Sequence, residues 1–293
     1  FMLVVVKPCS SKSSQSHVKW LKVQFAKKNI ANEWFFTSGR FAEDVAQIRS
    51  QCVGQATVVV IGGDGTLHLV INATIGQPCN LALLPAGTGN DFARQFKLSM
   101  AQWRACVFTG TEQAVDVGMV NGRYFINMLG IGFSAHVVRT MQSQQKRGQF
   151  SYIWAGLLNL FNYRNVRLAT SSAPSRSMMM LLIANGQYFA AGLKCAPTAQ
   201  YQSGELVGMH FYGESFLARL KTFTYMLFAQ HMRLSSVIKT AGTHFMIHTG
   251  GLDIEADGEI IGQTPAKVSC CPDAMRLKQP ANCSVDMHEV GEK

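Results

Sequence analysis

Two glycine-rich breaks, each behind a short apolar run, constrain this chain more than any other feature. Thr57-Val58-Val59-Val60-Ile61 is the β-branched kind of run that is buried on both faces of a parallel sheet. It breaks at Gly62-Gly63-Asp64-Gly65-Thr66, and Leu67, Val70, Ile71 and Ile75 then recur at helical spacing up to Gly76. The glycines thus stand where a strand hands over to a helix N-terminus. Backbone without Cβ atoms lets an anion come close, and the unpaired amides and dipole of the first helical turn point at it. Gly62, Gly63, Gly65 and Thr66 are therefore candidates to cradle phosphate. Asp64 is the odd member, because a carboxylate beside phosphates repels them unless a cation lies between; it implies Mg2+.

The design is repeated. Leu81-Ala82-Leu83-Leu84 reads as a second buried strand, and Pro85-Ala86-Gly87-Thr88-Gly89-Asn90-Asp91 as its glycine-rich exit, leading into Phe92-Ala93-Arg94 at the start of a helix. Either loop alone is also an ordinary tight turn. Two such exits from neighbouring parallel strands line one crevice, the place where open α/β sheets bind ligands.

At these residues the sequence resembles the catalytic domain of diacylglycerol and sphingosine kinases, and among them the single-chain bacterial lipid kinases of the YegS type. The first motif is shared with NAD kinases and phosphofructokinases, whereas Pro85 to Arg94 is more particular to the lipid kinases. The resemblance implies an N-terminal three-layer α/β nucleotide-binding domain and a C-terminal β-sandwich-like domain, with the reaction in the cleft between them. It also implies an ATP-dependent kinase that transfers the γ-phosphoryl group to a lipid hydroxyl of diacylglycerol type, using ATP and Mg2+. On this pattern the ATP phosphates rest on Gly62, Gly63, Gly65 and Thr66, with Thr88 and Asn90 on the second loop, and Asp64, Asp91 and Asp116 order the Mg2+.

The rest of the chain follows the resemblance with departures. After a first strand, Met2 to Val6, the family's Asn-Pro exit has Lys7 in place of asparagine, which can meet phosphate as a point charge but cannot accept hydrogen bonds. Ser11, Lys12 and Ser13 are candidate phosphate donors, ahead of an amphipathic helix from about His17 to Lys28. Thr37, behind the strand Trp34-Phe35-Phe36, matches a threonine that the family sets on the nucleotide; a helix N-cap by Thr37 or Ser38 is equally good chemistry. Where the family commonly continues its first motif with Asn-Glu, this chain has His68 and Leu69, which weighs against a NAD kinase. His68 is read as a solvated residue of the first turn, with a polar contact to the nucleotide as the alternative.

The alternation around Asn121-Gly122 is a hairpin and marks a change from βα units to antiparallel strands. The expected domains are 1–121, binding the nucleotide, and 122–280, binding the lipid, with 281–293 returning to the first. Apart from the resemblance, Asp116 reads equally as a solvated strand residue. Gln202-Ser203-Gly204-Glu205-Leu206-Val207 stands where many bacterial members carry the carboxylates of a structural Mg2+ site; with Glu205 alone, that site is expected to be absent or altered. Asp257-Gly258-Glu259 matches the family's turn whose glutamate is the proposed general base, which sets Glu259 beside Asp64 as the catalytic candidates. Without the resemblance, a hairpin with a charged tip is the plainer reading.

The 293 residues, 47% hydrophobic and 15% charged, suit an ordinary globular protein of two domains. Tyr152 to Phe161 is too short to span a bilayer, and Leu217 to Met232 is interrupted by Arg219, Lys221 and Gln230. Met2 to Val6 lacks the basic lead of a signal peptide. The eight cysteines, without a C-x-x-C pair, suit free thiols in a reducing cytoplasm. Nothing resembles a nucleic-acid module, so the net charge of +10 suits an anionic membrane surface or else serves only to keep the protein in solution. Lys146-Arg147 and Arg164 to Arg167, flanking Tyr152 and Trp154, are the candidate lipid-facing cluster, or else a solvated face. The expectation is a cytoplasmic protein, peripheral at the inner membrane face, with a homodimer left open. Two rival functions remain: a kinase of soluble acceptors like the NAD kinases, and a catalytically impaired, membrane-associated nucleotide-binding protein. The second is suggested by the departures at Lys7, His68, Leu69 and Gln202 to Val207.

Overall fold

The computed structural model describes residues 1–8, 11–54, 56–143, 149–171 and 173–281. Its first half alternates apolar runs with helices: β1 (Met2–Val6), α1 (Lys12–Lys28), β2 (Asn32–Phe36), α2 (Phe41–Gln51), β3 (Thr57–Gly62), α3 (Asp64–Thr74), β4 (Asn80–Pro85), α4 (Asp91–Arg94), α5 (Met100–Thr109) and β5 (Thr111–Val120). The strands β2, β1, β3 and β4 lie side by side in that order, all parallel. Every residue of β3 is buried, as expected for a strand covered by helices on both faces. α1 begins at Lys12, five residues before the expected start, because the Ser11 hydroxyl caps it by accepting the Ser14 N–H at 3.1 Å.

Asn121 and Gly122, both at positive φ, turn the chain from β5 into β6 (Arg123–Phe125), as an Asn-Gly hairpin requires. The second half continues with β7 (Met128–Gly132), α6 (Phe133–Ser143), α7 (Gln149–Asn162), β8 (Val166–Thr170), β9 (Ala173–Met178), β10 (Met180–Ala184), β11 (Tyr188–Phe189), β12 (Leu193–Lys194), β13 (Leu206–Phe211), α8 (Phe216–Leu227), β14 (Val237–Gly242), β15 (His244–Ile247), β16 (Asp253–Ala256), β17 (Glu259–Gln263) and β18 (Ala266–Gln279). An antiparallel sheet runs in the order β14-β13-β10-β7-β16-β17. The apolar run of β10 is explained by its two buried faces. Leu181 and Ile183 point into a sandwich core with Leu168, Phe245 and Val268, while Met180, Leu182 and Ala184 face a second core under α6, α7 and α8. α8 stops at Leu227, short of the expected Met232: Ala229 takes a left-handed conformation and a 3-10 turn, His231–Arg233, follows.

β18 joins the halves. Its first residues pair with β15, its length pairs with β5, and Arg276 and Leu277 pair in parallel with β4. Met275 and Leu277 lie in the core of the first half, so the second half sends a strand back before residue 281. The return expected of 281–293 falls almost wholly outside the described residues, as do Lys146 and Arg147.

Candidate active site

A cleft of about 470 Å³ opens between the halves. Gly62, Gly63, Asp64, Gly65, Thr66 and His68 line it from the first glycine loop, Gly87, Thr88, Gly89 and Asp91 from the second, and Lys7, Ser11 and Thr37 from the first two strand exits. Met128, Val138, Met141, Phe189, Ala191, Asp257 and Glu259 line it from the other half.

The two glycine loops cross at backbone distance. A Cβ on Gly63 would lie 2.8 Å from the Gly87 Cα, and one on Gly87 would lie 2.4 Å from the Gly63 Cα. Only glycine at both positions allows this approach. Gly65, two residues further on, has no atom within 4 Å of where its Cβ would sit, so the helix start offers free room in the cleft. The Thr66 and Leu67 amides both donate to the Gly63 carbonyl at 3.0 Å, and the amides ahead of them, at the start of α3, have no acceptor a turn earlier in the helix. Thr66 fills the space that Gly62 leaves, its Oγ1 2.3 Å from where that Cβ would be.

Asn90 does a different job from the one expected. Its side chain accepts the Gly87 N–H and donates to the Gly87 carbonyl, both at 2.9 Å, so it closes the second loop on itself. Ser11 lines the cleft and donates to the Ala86 carbonyl, tying the first strand exit to the second loop. Lys12 is exposed on α1 and is not among the described lining residues; Lys7 is. Thr37 lines the cleft, and neither it nor Ser38 caps α2; the Ser38 and Gly39 amides and the Ser38 hydroxyl instead bind the carboxylate of Asp44.

Asp64, half-buried, and Asp91, buried, form a pair. The Asp64 carboxylate accepts the N–H groups of Asp91 and Phe92, each at 3.0 Å, which caps α4 from across the crevice. Asp91 accepts the Ala191 N–H at 2.8 Å, and its Oδ1 is buried with no hydrogen-bond partner among the described residues. Ala190 and Ala191 hold left-handed φ values of 51° and 65° to present that amide. Burial raises the pKa of both carboxyls above the ordinary range. The charge of Asp257 adds to the rise at Asp64, against the Phe92 and Asp91 amides, and the charge of Asp64 adds to the rise at Asp91. Two neighbouring carboxyls, one with an orphaned buried oxygen, fit what Mg2+ asks of a protein when it takes one or two carboxylates and completes its shell from substrate and water. Asp116 does not join them. Its oxygens accept the Gly204 N–H at 2.7 Å and the Asp273 N–H at 2.9 Å, so it fastens the 200–205 loop and the bulge of β18, away from the cleft lining.

Glu259 begins β17 and is exposed in the cleft, with the Gln142 amide 3.5 Å away. The turn that presents it is held by Asp257, a residue that the sequence brought forward only as part of a triplet. Asp257 sits at φ 48°, and its carboxylate accepts the amides of Ile126, Asn127 and Met128 at 2.9–3.1 Å. Its fourth partner is His68 Nδ1, at 2.9 Å. His68 is therefore not a solvated first-turn residue: it is buried against Asp257, and its ring lies 5.6 Å from that of Phe41.

With this geometry fixed, comparison with known proteins is decisive. The Diacylglycerol kinase catalytic domain matches residues 2–120, and the YegS C-terminal NAD kinase beta sandwich-like domain matches residues 127–279. The chain belongs to the diacylglycerol kinase family. A diacylglycerol kinase of Mycobacterium tuberculosis is 26% identical over 257 residues, covering 83% of each chain. A YegS-like candidate lipid kinase of Pseudomonas aeruginosa is 30% identical over 240 residues, covering 78% of each. The fold is that of a candidate diacylglycerol kinase of Bacillus anthracis, with a TM-score of 0.75, 17% identity, and 97% and 98% of the two chains covered. Yeast NADH kinase shares the fold more loosely, at a TM-score of 0.52. As a member of the diacylglycerol kinase family, the chain places its two glycine loops and its Asp-Gly-Glu turn around one cleft.

Proposed function

We propose that this protein is an ATP-dependent lipid kinase that transfers the γ-phosphoryl group to the hydroxyl of a diacylglycerol-like lipid. The reading is carried by the crossing of the two glycine loops at Gly63 and Gly87 beside the Asp64–Asp91 pair, in the same cleft as Glu259. Phosphoryl transfer needs positioning and charge neutralisation more than covalent help from the protein. The amides of the α3 start, Thr66 and Thr88 hold the phosphates, and Lys7 adds a positive charge at the rim. Mg2+ held by Asp64 and Asp91 would neutralise charge on the β- and γ-phosphates. The lipid oxygen attacks the γ-phosphorus, the bond to the β–γ bridging oxygen breaks, ADP leaves, and Glu259 takes the hydroxyl proton. Met128, Val138, Met141 and Phe189 give one wall of the cleft the apolar character a lipid needs.

No helix among the described residues is long and apolar enough to cross a membrane, and the net charge of +10 favours peripheral contact with the anionic inner face of a membrane. The test is phosphate transfer from γ-labelled ATP, with Mg2+, to a panel of lipid alcohols in mixed micelles. A labelled lipid made by the wild type and absent with Asp64→Ala is expected. No labelled lipid from any alcohol, or transfer to NAD or a sugar in preference, would overturn the reading.

A further inference from the structure

Large exposed apolar side chains gather on two neighbouring helices. Trp154, Leu158 and Phe161 on α7 are 63, 56 and 71% exposed, and Leu217 on α8 and Phe228 just behind it are each 72% exposed. Gly156 packs against the Phe223 ring, and the Phe161 and Phe216 rings meet tilted with centroids 4.4 Å apart, so the two helices run antiparallel. Trp154 consequently lies toward the Phe228 end and Phe161 toward the Leu217 end. The outward line of α8 reads Leu217, Lys221, Thr224, Phe228, all exposed at helical spacing. One face thus carries five large apolar side chains with a lysine in its middle, and soluble surfaces of that kind mark interaction sites.

The charge of the chain says what fits there. From Val117 to Leu252 there are twelve Lys or Arg and two acidic residues, Glu205 and Glu214; elsewhere the signs balance, so the whole net charge of +10 lies in this segment. α7 has no charged residue and α8 has only Arg219 and Lys221. Exposed Arg164 follows α7, exposed Arg233 follows α8, and Glu214 is the one carboxylate adjoining either helix. A second copy meeting this face would set like charges against each other, whereas an anionic surface complements them. The same helical layer reaches the cleft: α7 and α8 share a core with Val137 and Met141 of α6, and Val138 and Met141 line the cleft.

We propose that the α7–α8 face docks on an anionic phospholipid bilayer, with Trp154, Leu158, Phe161, Leu217 and Phe228 at the boundary of headgroups and acyl chains and Lys221 and Arg164 at the lipid phosphates. The proposal rests on the lipid-kinase reading for its purpose, since a lipid drawn from the bilayer at this face reaches the cleft along α6.

The test is co-sedimentation of the full chain with vesicles of phosphatidylcholine alone and of phosphatidylcholine with phosphatidylglycerol. The wild type is expected to bind the anionic vesicles with a blue shift in tryptophan emission that Trp154→Phe reduces. Trp154→Ser with Phe161→Ser is expected to weaken partitioning about tenfold or more, since each large apolar side chain is worth that when buried. Lys221→Glu is expected to weaken it about tenfold at low salt. All these positions are exposed, and an unchanged thermal midpoint verifies that each variant folds. Unchanged partitioning of the double variant, or equal binding to neutral and anionic vesicles, overturns the proposal. So does a wild-type dimer that the double variant dissociates while vesicle binding persists, because the face is then a self-interface. Turnover of a dispersed short-chain diacylglycerol separates the two readings: the double variant retains it if docking alone is lost. Vesicle binding without turnover by any form would leave the docking face standing and remove the kinase.

Discussion

The imidazole of His68 meets the carboxylate of Asp257 at 2.9 Å, with both side chains buried, and fastens the helix of the first glycine loop to the turn that presents Glu259. The contact spans 189 residues of sequence and both halves of the chain. On the proposed mechanism it would set the separation between the first glycine loop and Glu259, which in-line transfer requires to be fixed.

His68→Ala should therefore loosen the reaction geometry more than nucleotide binding. A hydrogen bond to a charged group is worth about 1.5–3 kcal/mol, so kcat is expected to fall about 10–100-fold. ATP affinity, measured by titration, should change by less than about threefold, because His68 touches the turn and not the cradle amides. His68→Asn should recover part of the loss. Full turnover in His68→Ala would show that the turn stands without this tie.

Two glycines of one loop should behave in opposite ways. Gly63→Ala drives a Cβ to 2.8 Å from the Gly87 backbone and is expected to destabilise the fold by about 1–3 kcal/mol, read as a lower thermal midpoint. Gly65→Ala meets nothing within 4 Å and sits in a helix, so the midpoint should hold or rise slightly. Its Cβ occupies the phosphate room, and ATP affinity should drop. An unaltered affinity in Gly65→Ala would place the phosphates elsewhere.

Why some of this was legible in the sequence and some was not follows from the range of the contacts. β3, β4 and both glycine exits are local: apolar runs of strand length ending where a helix must start. The Asn90 clamp on Gly87 is local too, a side chain closing on backbone three residues away, and an Asx-type reading of Gly87 to Asn90 could have found it. The resemblance alone assigns Asp116 to the metal set, and nothing around Asp116 in the sequence announces its partners Gly204 and Asp273, which lie 88 and 157 residues away. His68 was read as solvated for the same reason. Its acceptor is brought in by the β16–β17 hairpin, which no helical pattern foretells.

Stability should depend on pH through Glu255, which lies fully buried beneath the same turn and accepts the Gly258 N–H at 3.2 Å. Burial first, and the charge of Asp257 second, push its carboxyl up to about 8. Between the unfolded value, about 4.3, and this one, the folded chain keeps a proton that the unfolded chain releases. Stability is then greatest below that window and falls as pH rises through it, by up to about 1.4 kcal/mol per pH unit for one proton. Glu255→Gln should flatten the slope in denaturant unfolding measured from pH 5 to 8. An unchanged slope would mean that Glu255 titrates alike in both states.

The central question is whether the cleft transfers phosphate to a lipid with Glu259 as base. The measurement that decides it is single-turnover transfer from γ-labelled ATP to diacylglycerol in mixed micelles, by wild type and Glu259→Gln. Because Glu259 is exposed and its removal leaves the glycine loops untouched, the variant is expected to bind ATP as the wild type does while transferring about 10²–10⁴-fold more slowly. Equal transfer rates in the two proteins would contradict the assignment.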